Sequence, residues 1–289
     1  MAIQTTLDST LKGNAERLSK TPSAFGGHPY VHDDAPDAYP VRIHTLGRFS
    51  LQHRNAPSTP QSRKAPHKPL ELLKALIAFG GRDVSDELLT HALWPDADGD
   101  HALAAFDTTL HRLRRYLRAP GALVVFNRKL TLSSRHCWVD CWAVDRLMHR
   151  LDAILKSGDP NDAEVATLSA RIEHIYQGAF LGSDTPTVWS LSLRERLRSR
   201  YLRYITDTGR YWERGGQHAR AIECYRKGLE TDNLMENFYR QLMHCHLQLG
   251  ERAEALATYY RCERVLAKLL GIRPCLTTEA LRARAQSAG

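Results

Sequence analysis

The sequence predicts a mainly α-helical protein in which a small α+β domain precedes an all-helical one. Three observations carry that expectation. Residues 41–51 and 123–132 alternate apolar with polar side chains at the two-residue period of strands, and between them apolar residues step by three and four. Beyond residue 139 only the helical period persists. Late in the chain Gly216, Ala221 and Tyr225 recur 34 residues on as Gly250, Ala255 and Tyr259, the spacing of stacked tetratricopeptide helix pairs. A length of 289 residues accommodates two modest domains, each with its own core.

Residues 1–38 read as a disordered tail, rich in Pro, Gly, Ser and Asp and without apolar periodicity. A short helix over 7–18 is compatible with it, and the cluster His32, Asp33 and Asp34 reads as solvated. Val41 and Ile43, then Phe49 and Leu51 beyond Gly47, mark two short strands. A Pro- and Ser-rich loop over 56–66 carries Arg63 and Lys64 towards Lys68 and a helix over 69–79. That helix buries Leu72, Leu73, Leu76 and Ile77 and stops at Gly80-Gly81. Ser85 caps the next helix, Asp86 and Glu87 suit its N-terminal dipole, and Pro95 ends it.

The third helix, over 101–117, organises the chain. Leu103, Phe106, Leu110, Leu113 and Leu117 stack on one side, which must be buried. The other side carries Ala104, Ala105, Thr108, His111, Arg112 and Arg115, with Arg112 placed at its centre. Small side chains there permit close approach to a DNA major groove, while Thr, His and Arg reach base edges and phosphates. Taken alone, the same face also suits a solvated amphipathic helix. A strand over 123–126, a turn at Asn127-Arg128 and a returning strand over 130–132 follow, so Asn127, Arg128 and Lys129 sit at a hairpin tip. Strands, three helices and a hairpin make a winged helix-turn-helix, assigned to 39–138. In that fold the second and third helices read DNA and the hairpin rests on the backbone or minor groove.

Residues 139–289 form the helical domain, with helices over 140–158, 162–176 and 188–214 before the repeats. The 34-residue offset also aligns Trp212 with His246 and Gly228 with Cys262. Gly216 and Ala255 are read as tight helix–helix contacts that Tyr225 and Tyr259 fill. Arg194, Arg196, Arg198, Arg200 and Arg203 wind around their helix and read as solvated charge. A short helical array of this kind offers a concave surface to a protein or small ligand.

A formal charge of +8 favours a polyanionic partner, nucleic acid first. The six cysteines contain no CxxC pair, and neither His136, Cys137 and Cys141 nor His244, Cys245 and His246 has a zinc spacing, so no metal and no cofactor is expected. With no long apolar run and no signal-peptide pattern, the expected setting is the cytoplasm, in association with the nucleoid and without membrane contact.

These segments, in this order, carry a family resemblance. The carriers are LGRFSL at 46–51, KPLELLKALIAFGG at 68–81, ALWPDADGD at 92–100 and AFDTTLHRLRRYL at 105–117. RERLRSRYLR at 194–203, the two repeats, and AEALATYYRCERVLAKLLGIRPCLTTEAL at 253–281 continue it, with Cys275 where Ser is more usual. The stretch from about 40 to 285 resembles bacterial transcriptional regulators, the antibiotic-pathway regulatory proteins among them, that join an OmpR-type winged helix to a bacterial transcriptional activator domain. The resemblance implies that the third helix is the recognition helix and that Thr108, Thr109, His111, Arg112 and Arg115 fall on its reading positions. Within these 289 residues no receiver, forkhead-associated or nucleotide-binding ATPase pattern is expected beside the pair.

The implied function is a sequence-specific regulator, an activator that binds double-stranded DNA, as a homodimer or on repeated half-sites, and recruits RNA polymerase. An adaptor whose winged helix binds protein is the alternative. An enzyme is the weakest reading: GxxxxGK[ST], GxSxG and HExxH are absent, and no paired carboxylates lie in an apolar setting.

Overall fold

The structure, a computed structural model, describes residues 36–54, 67–158 and 160–287. The expected tail as far as residue 35 and the loop over 56–66 lie outside the described residues. Two compact units divide the chain: Met1–Ile43 with Ser50–Trp142, and His44–Phe49 with Ala143–Gly289.

The first unit is a winged helix-turn-helix. Strands β1 (Val41–His44) and β2 (Ser50–His53) precede α1 (His67–Ala78), β3 (Val84–Ser85), α2 (Asp86–Leu93) and α3 (Gly99–Leu117). A hairpin of β4 (Leu123–Phe126) and β5 (Lys129–Leu132) and the short β6 (Cys137–Val139) complete it. Helix α1 ends as its glycines require: Gly81 N–H donates to Leu76 O and Gly80 N–H to Ile77 O, the paired bonds of a Schellman motif. Leu72, Leu73, Leu76, Ile77, Leu89, Leu113, Leu117 and Leu132 make the solvent-free centre.

Two strands escape the sequence pattern. The two-residue β3 joins the hairpin in the order β3-β5-β4, with Ser85 opposite Lys129. β6 runs parallel to β1, Val41 facing Cys137 and Ile43 facing Val139. All three of its residues are buried, so it shows no alternation.

The second unit holds α4 (Asp140–Lys156), α5 (Asp162–Ile175), α6 (Val188–Arg214), α7 (His218–Thr231), α8 (Glu236–Gln248), α9 (Arg252–Leu270) and α10 (Leu276–Ser287). The segment 44–49, assigned from sequence to the winged-helix domain, is bonded here instead: Leu181 N–H donates to Thr45 O, and Gly47 N–H to Ala179 O.

The repeat is visible at the level of single hydrogen bonds. After α6, Gln217 N–H donates to Trp212 O and Gly216 N–H to Glu213 O; after α8, Glu251 N–H donates to His246 O and Gly250 N–H to Leu247 O. Gly216 and Gly250 are left-handed there, with φ of 70° and 78°. That corrects one expectation. A Cβ on Gly216 meets nothing within 4 Å, so this glycine serves backbone conformation and not close helix packing. The close approach lies elsewhere: a Cβ on Gly209 would lie 2.4 Å from the Tyr225 ring. Ala255 and Tyr259 are fully buried beside Met243 and Ala285, as the alignment implies.

Three of the five α6 arginines read as solvated also depart from expectation, while Arg203 is exposed as expected. Arg194 donates to Phe180 O and Leu181 O, Arg198 pairs with Asp232, and Arg200 pairs with the buried Asp145. Arg194, Arg198 and Arg200 clasp neighbouring segments instead of lining a solvated face.

Candidate nucleic-acid interface

Helix α3 spans 19 residues and starts at Gly99, two residues ahead of the start expected from sequence. Its buried residues are Ala102, Phe106, Thr109, Leu110, Leu113 and Leu117, while Leu103 is only half-buried. Thr109 is therefore a correction to the expected reading positions: at 6% exposure it belongs to the core stripe. At about 100° per residue the line opposite that stripe runs through Ala104, Thr108, His111 and Arg115. Ala104, Thr108, His111, Arg112 and Arg115 are all exposed, and Ala105 is half-buried. Arg112 lies to one side of the line, so Arg115 takes the central place that the sequence reading gave to Arg112. Asp107, also exposed, adds one carboxylate on the opposite flank.

Among the described residues, Thr108, His111, Arg112 and Arg115 have no hydrogen-bond or ion-pair partner. Arg118 closes the helix in the left-handed region, at φ 50°. Arg114, Arg115 and Arg118 rim a shallow hollow of about 350 Å³ at this end, backed by Pro120, Gly121 and Ala122. Arg114 and Arg118 were absent from the sequence expectation, although the run RRYLR displays them.

The hairpin tip is real and short. Asn127 and Arg128 have φ of 49° and 58°, the left-handed pair of a two-residue type I′ turn. Asn127, Arg128 and Lys129 are exposed, but Arg128 is held: its Nε lies 2.9 Å from Asp86 Oδ2, and its carbonyl accepts Asp86 N–H. The tip is thus fastened to the first residue of α2, which Ser85 caps through Leu88 N–H. Lys68 is structural as well, donating to Leu93 O at the C-terminus of α2 with its ammonium over the Trp94 ring.

A family model described as "Bacterial transcriptional activator domain" matches residues 139–286. The chain belongs to this family. Among curated proteins the chain is similar to the regulatory protein AfsR of Streptomyces griseus, 28% identical over 204 residues that make up 70% of this chain and 20% of that one. AfsR of Streptomyces coelicolor matches to the same extent. The chain thus spans about a fifth of the length of these relatives. Its fold is similar to that of Mycobacterium tuberculosis EmbR, solved in complex with a low-affinity phosphopeptide: TM-score 0.61 and 19% identity, over 86% of this chain and 65% of that one. The family is one of transcriptional regulators, with a winged helix ahead of a helical domain in this chain. No described helix is long and apolar enough to cross a membrane.

Proposed function

We propose that this member of the bacterial transcriptional activator domain family is a sequence-specific regulator of transcription that binds double-stranded DNA through α3. The winged-helix domain is taken as 39–138, apart from the segment 44–49 that bonds within the helical unit, and the activator domain as 139–289. One observation carries the reading: directly opposite its core stripe, α3 presents Ala104, Thr108, His111 and Arg115 in line, with none of the three polar side chains committed to a described partner. Small residues near the front allow groove entry, and the cationic end can reach bases and phosphates. Arg114 and Arg118 flank the exit from the groove, and Lys129 with the exposed part of Arg128 lies where a wing meets the DNA backbone. The helical repeats would then contact RNA polymerase or a second copy of the chain, in a cytoplasmic, nucleoid-associated protein that activates transcription.

Selection of bound duplexes from a random pool by the full chain tests this. The expected result is one enriched motif, bound at least about 1,000-fold more tightly than scrambled duplex at physiological salt. Absence of any motif would return the chain to the adaptor reading. One observation favours that alternative: Val124, Val125 and Phe126 are exposed on β4, the edge strand of its sheet, and Phe126 is 71% exposed.

A further inference from the structure

The helical unit brings together three metal-binding side chains that sequence spacing does not connect. Glu213 lies on the last turn of α6, and His244 and Cys245 lie in succession on α8. Cys245 Sγ is 3.2 Å from Glu213 Oε1, and His244 Nδ1 is 3.9 Å from the same oxygen. All three donor atoms lie within 4.8 Å of one another. Bonds of about 2.0–2.3 Å to a tetrahedral zinc ion set its ligand atoms about 3.3–3.8 Å apart, so the observed separations bracket that edge.

We propose that Glu213, His244 and Cys245 form a binding site for a divalent transition-metal ion of the zinc class, clasping α6 to α8. One thiolate, one imidazole and one carboxylate select an ion of borderline softness over magnesium or calcium, which take oxygen ligands. The Cys245 thiol, fully buried, now donates to Glu213. On binding, the ion takes the place of that thiol proton, so one proton passes to solvent as the sulfur–metal bond forms. His244, whose side chain is 40% exposed, marks the solvent side, where water completes the coordination. The sequence misses the site because Glu213 stands 31 residues before His244 and only the helix pairing joins them.

The clasp would couple the first helices of two successive repeats, Trp212 on α6 being equivalent to His246 on α8. The ion binds the folded chain and has no formed site in the unfolded one, so it raises stability by mass action. At about 100-fold excess over Kd the melting temperature should rise by about 5–10 °C.

Titrating the purified full chain with Co²⁺, then displacing it with Zn²⁺, tests the site. The expected result is one Co²⁺ per chain with a thiolate-to-cobalt charge-transfer band in the near ultraviolet. His244→Ala, at a partly exposed position that should leave the fold intact by circular dichroism, should weaken that binding by at least about tenfold. Cys245→Ser should abolish the band. The proposal is overturned by Co²⁺ uptake without a thiolate band, by no uptake, by a band that survives Cys245→Ser, or by His244→Ala binding as tightly as the parent.

Discussion

Helices α3 and α6 look alike as sequences, each amphipathic and studded with arginine, yet the fold uses them in opposite ways. In α6, Arg194 ties down two backbone carbonyls, Arg198 pairs with Asp232, and Arg200 pairs with an Asp145 that is 1% exposed. In α3, Arg112 and Arg115 meet no described partner. A cationic side chain already bonded within its own unit has little to offer a ligand, whereas an uncommitted one keeps its donors for a phosphate or a base edge. The number of arginines does not distinguish a clasp from a reading face; the acceptors around them do.

The same substitution in the two helices should therefore fail in different assays. Arg200→Ala removes a charge partner of buried Asp145 and should cost up to about 3 kcal/mol of unfolding free energy in urea titration. A loss under 1 kcal/mol would show that the clasp is dispensable. Gly209→Val drives a side chain into the Tyr225 ring and should cost up to about 3 kcal/mol, while Gly216→Ala, with open space but a left-handed backbone, should cost about 1–2. Equal costs would erase the distinction drawn between packing and conformation.

Arg115→Ala belongs to the other class. Its stability should stay within about 0.5 kcal/mol of the parent, and its affinity for a selected operator should fall by about 1–3 kcal/mol with relaxed preference at one or two base pairs. Arg112→Ala, off the central line, should fall less. If Arg112 proves the more damaging change, the helix enters the groove rotated from the line through Thr108 and Arg115. Arg128→Ala breaks only an exposed ion pair, with a stability change of about 0–1 kcal/mol. If its free donors reach phosphate, specific and random duplex should weaken alike and the salt slope should drop by about one.

Acid should weaken the fold through Glu236. Burial opposes its ionisation, but hydrogen bonds from the Cys275 and Thr278 side chains and from Cys275 N–H outweigh that and hold its pKa below 4.5. The carboxylate therefore stabilises the fold above its ordinary range, and that contribution is lost as pH falls through the lowered value. Glu236→Gln should narrow the stability gap between neutral and acid pH.

Much of this molecule was legible in its residues. Apolar steps of three and four located α1 and α3, Ser85 and Pro95 bounded α2, Asn127-Arg128 announced a tight turn, and the 34-residue offset two equivalent helix ends. Periodicity is a local property, written at the pitch of a helix or the pleat of a strand, and a single chain carries it in full. What required tertiary structure was every pairing between distant residues. β6 became a strand only because β1 lay beside it, Thr109 sank because Ala102, Phe106 and Leu113 set the angle of the buried stripe, and Arg128 met Asp86 through the register of β3 on β5. The same holds for Glu213, which comes within 3.2 Å of Cys245 because α7 packs on both helices, Tyr225 lying against Gly209 of α6 and Phe238 of α8. Which side chains keep their hydrogen-bonding capacity for another molecule depends on those long-range encounters, since a donor is free only if the fold has placed no acceptor within its reach.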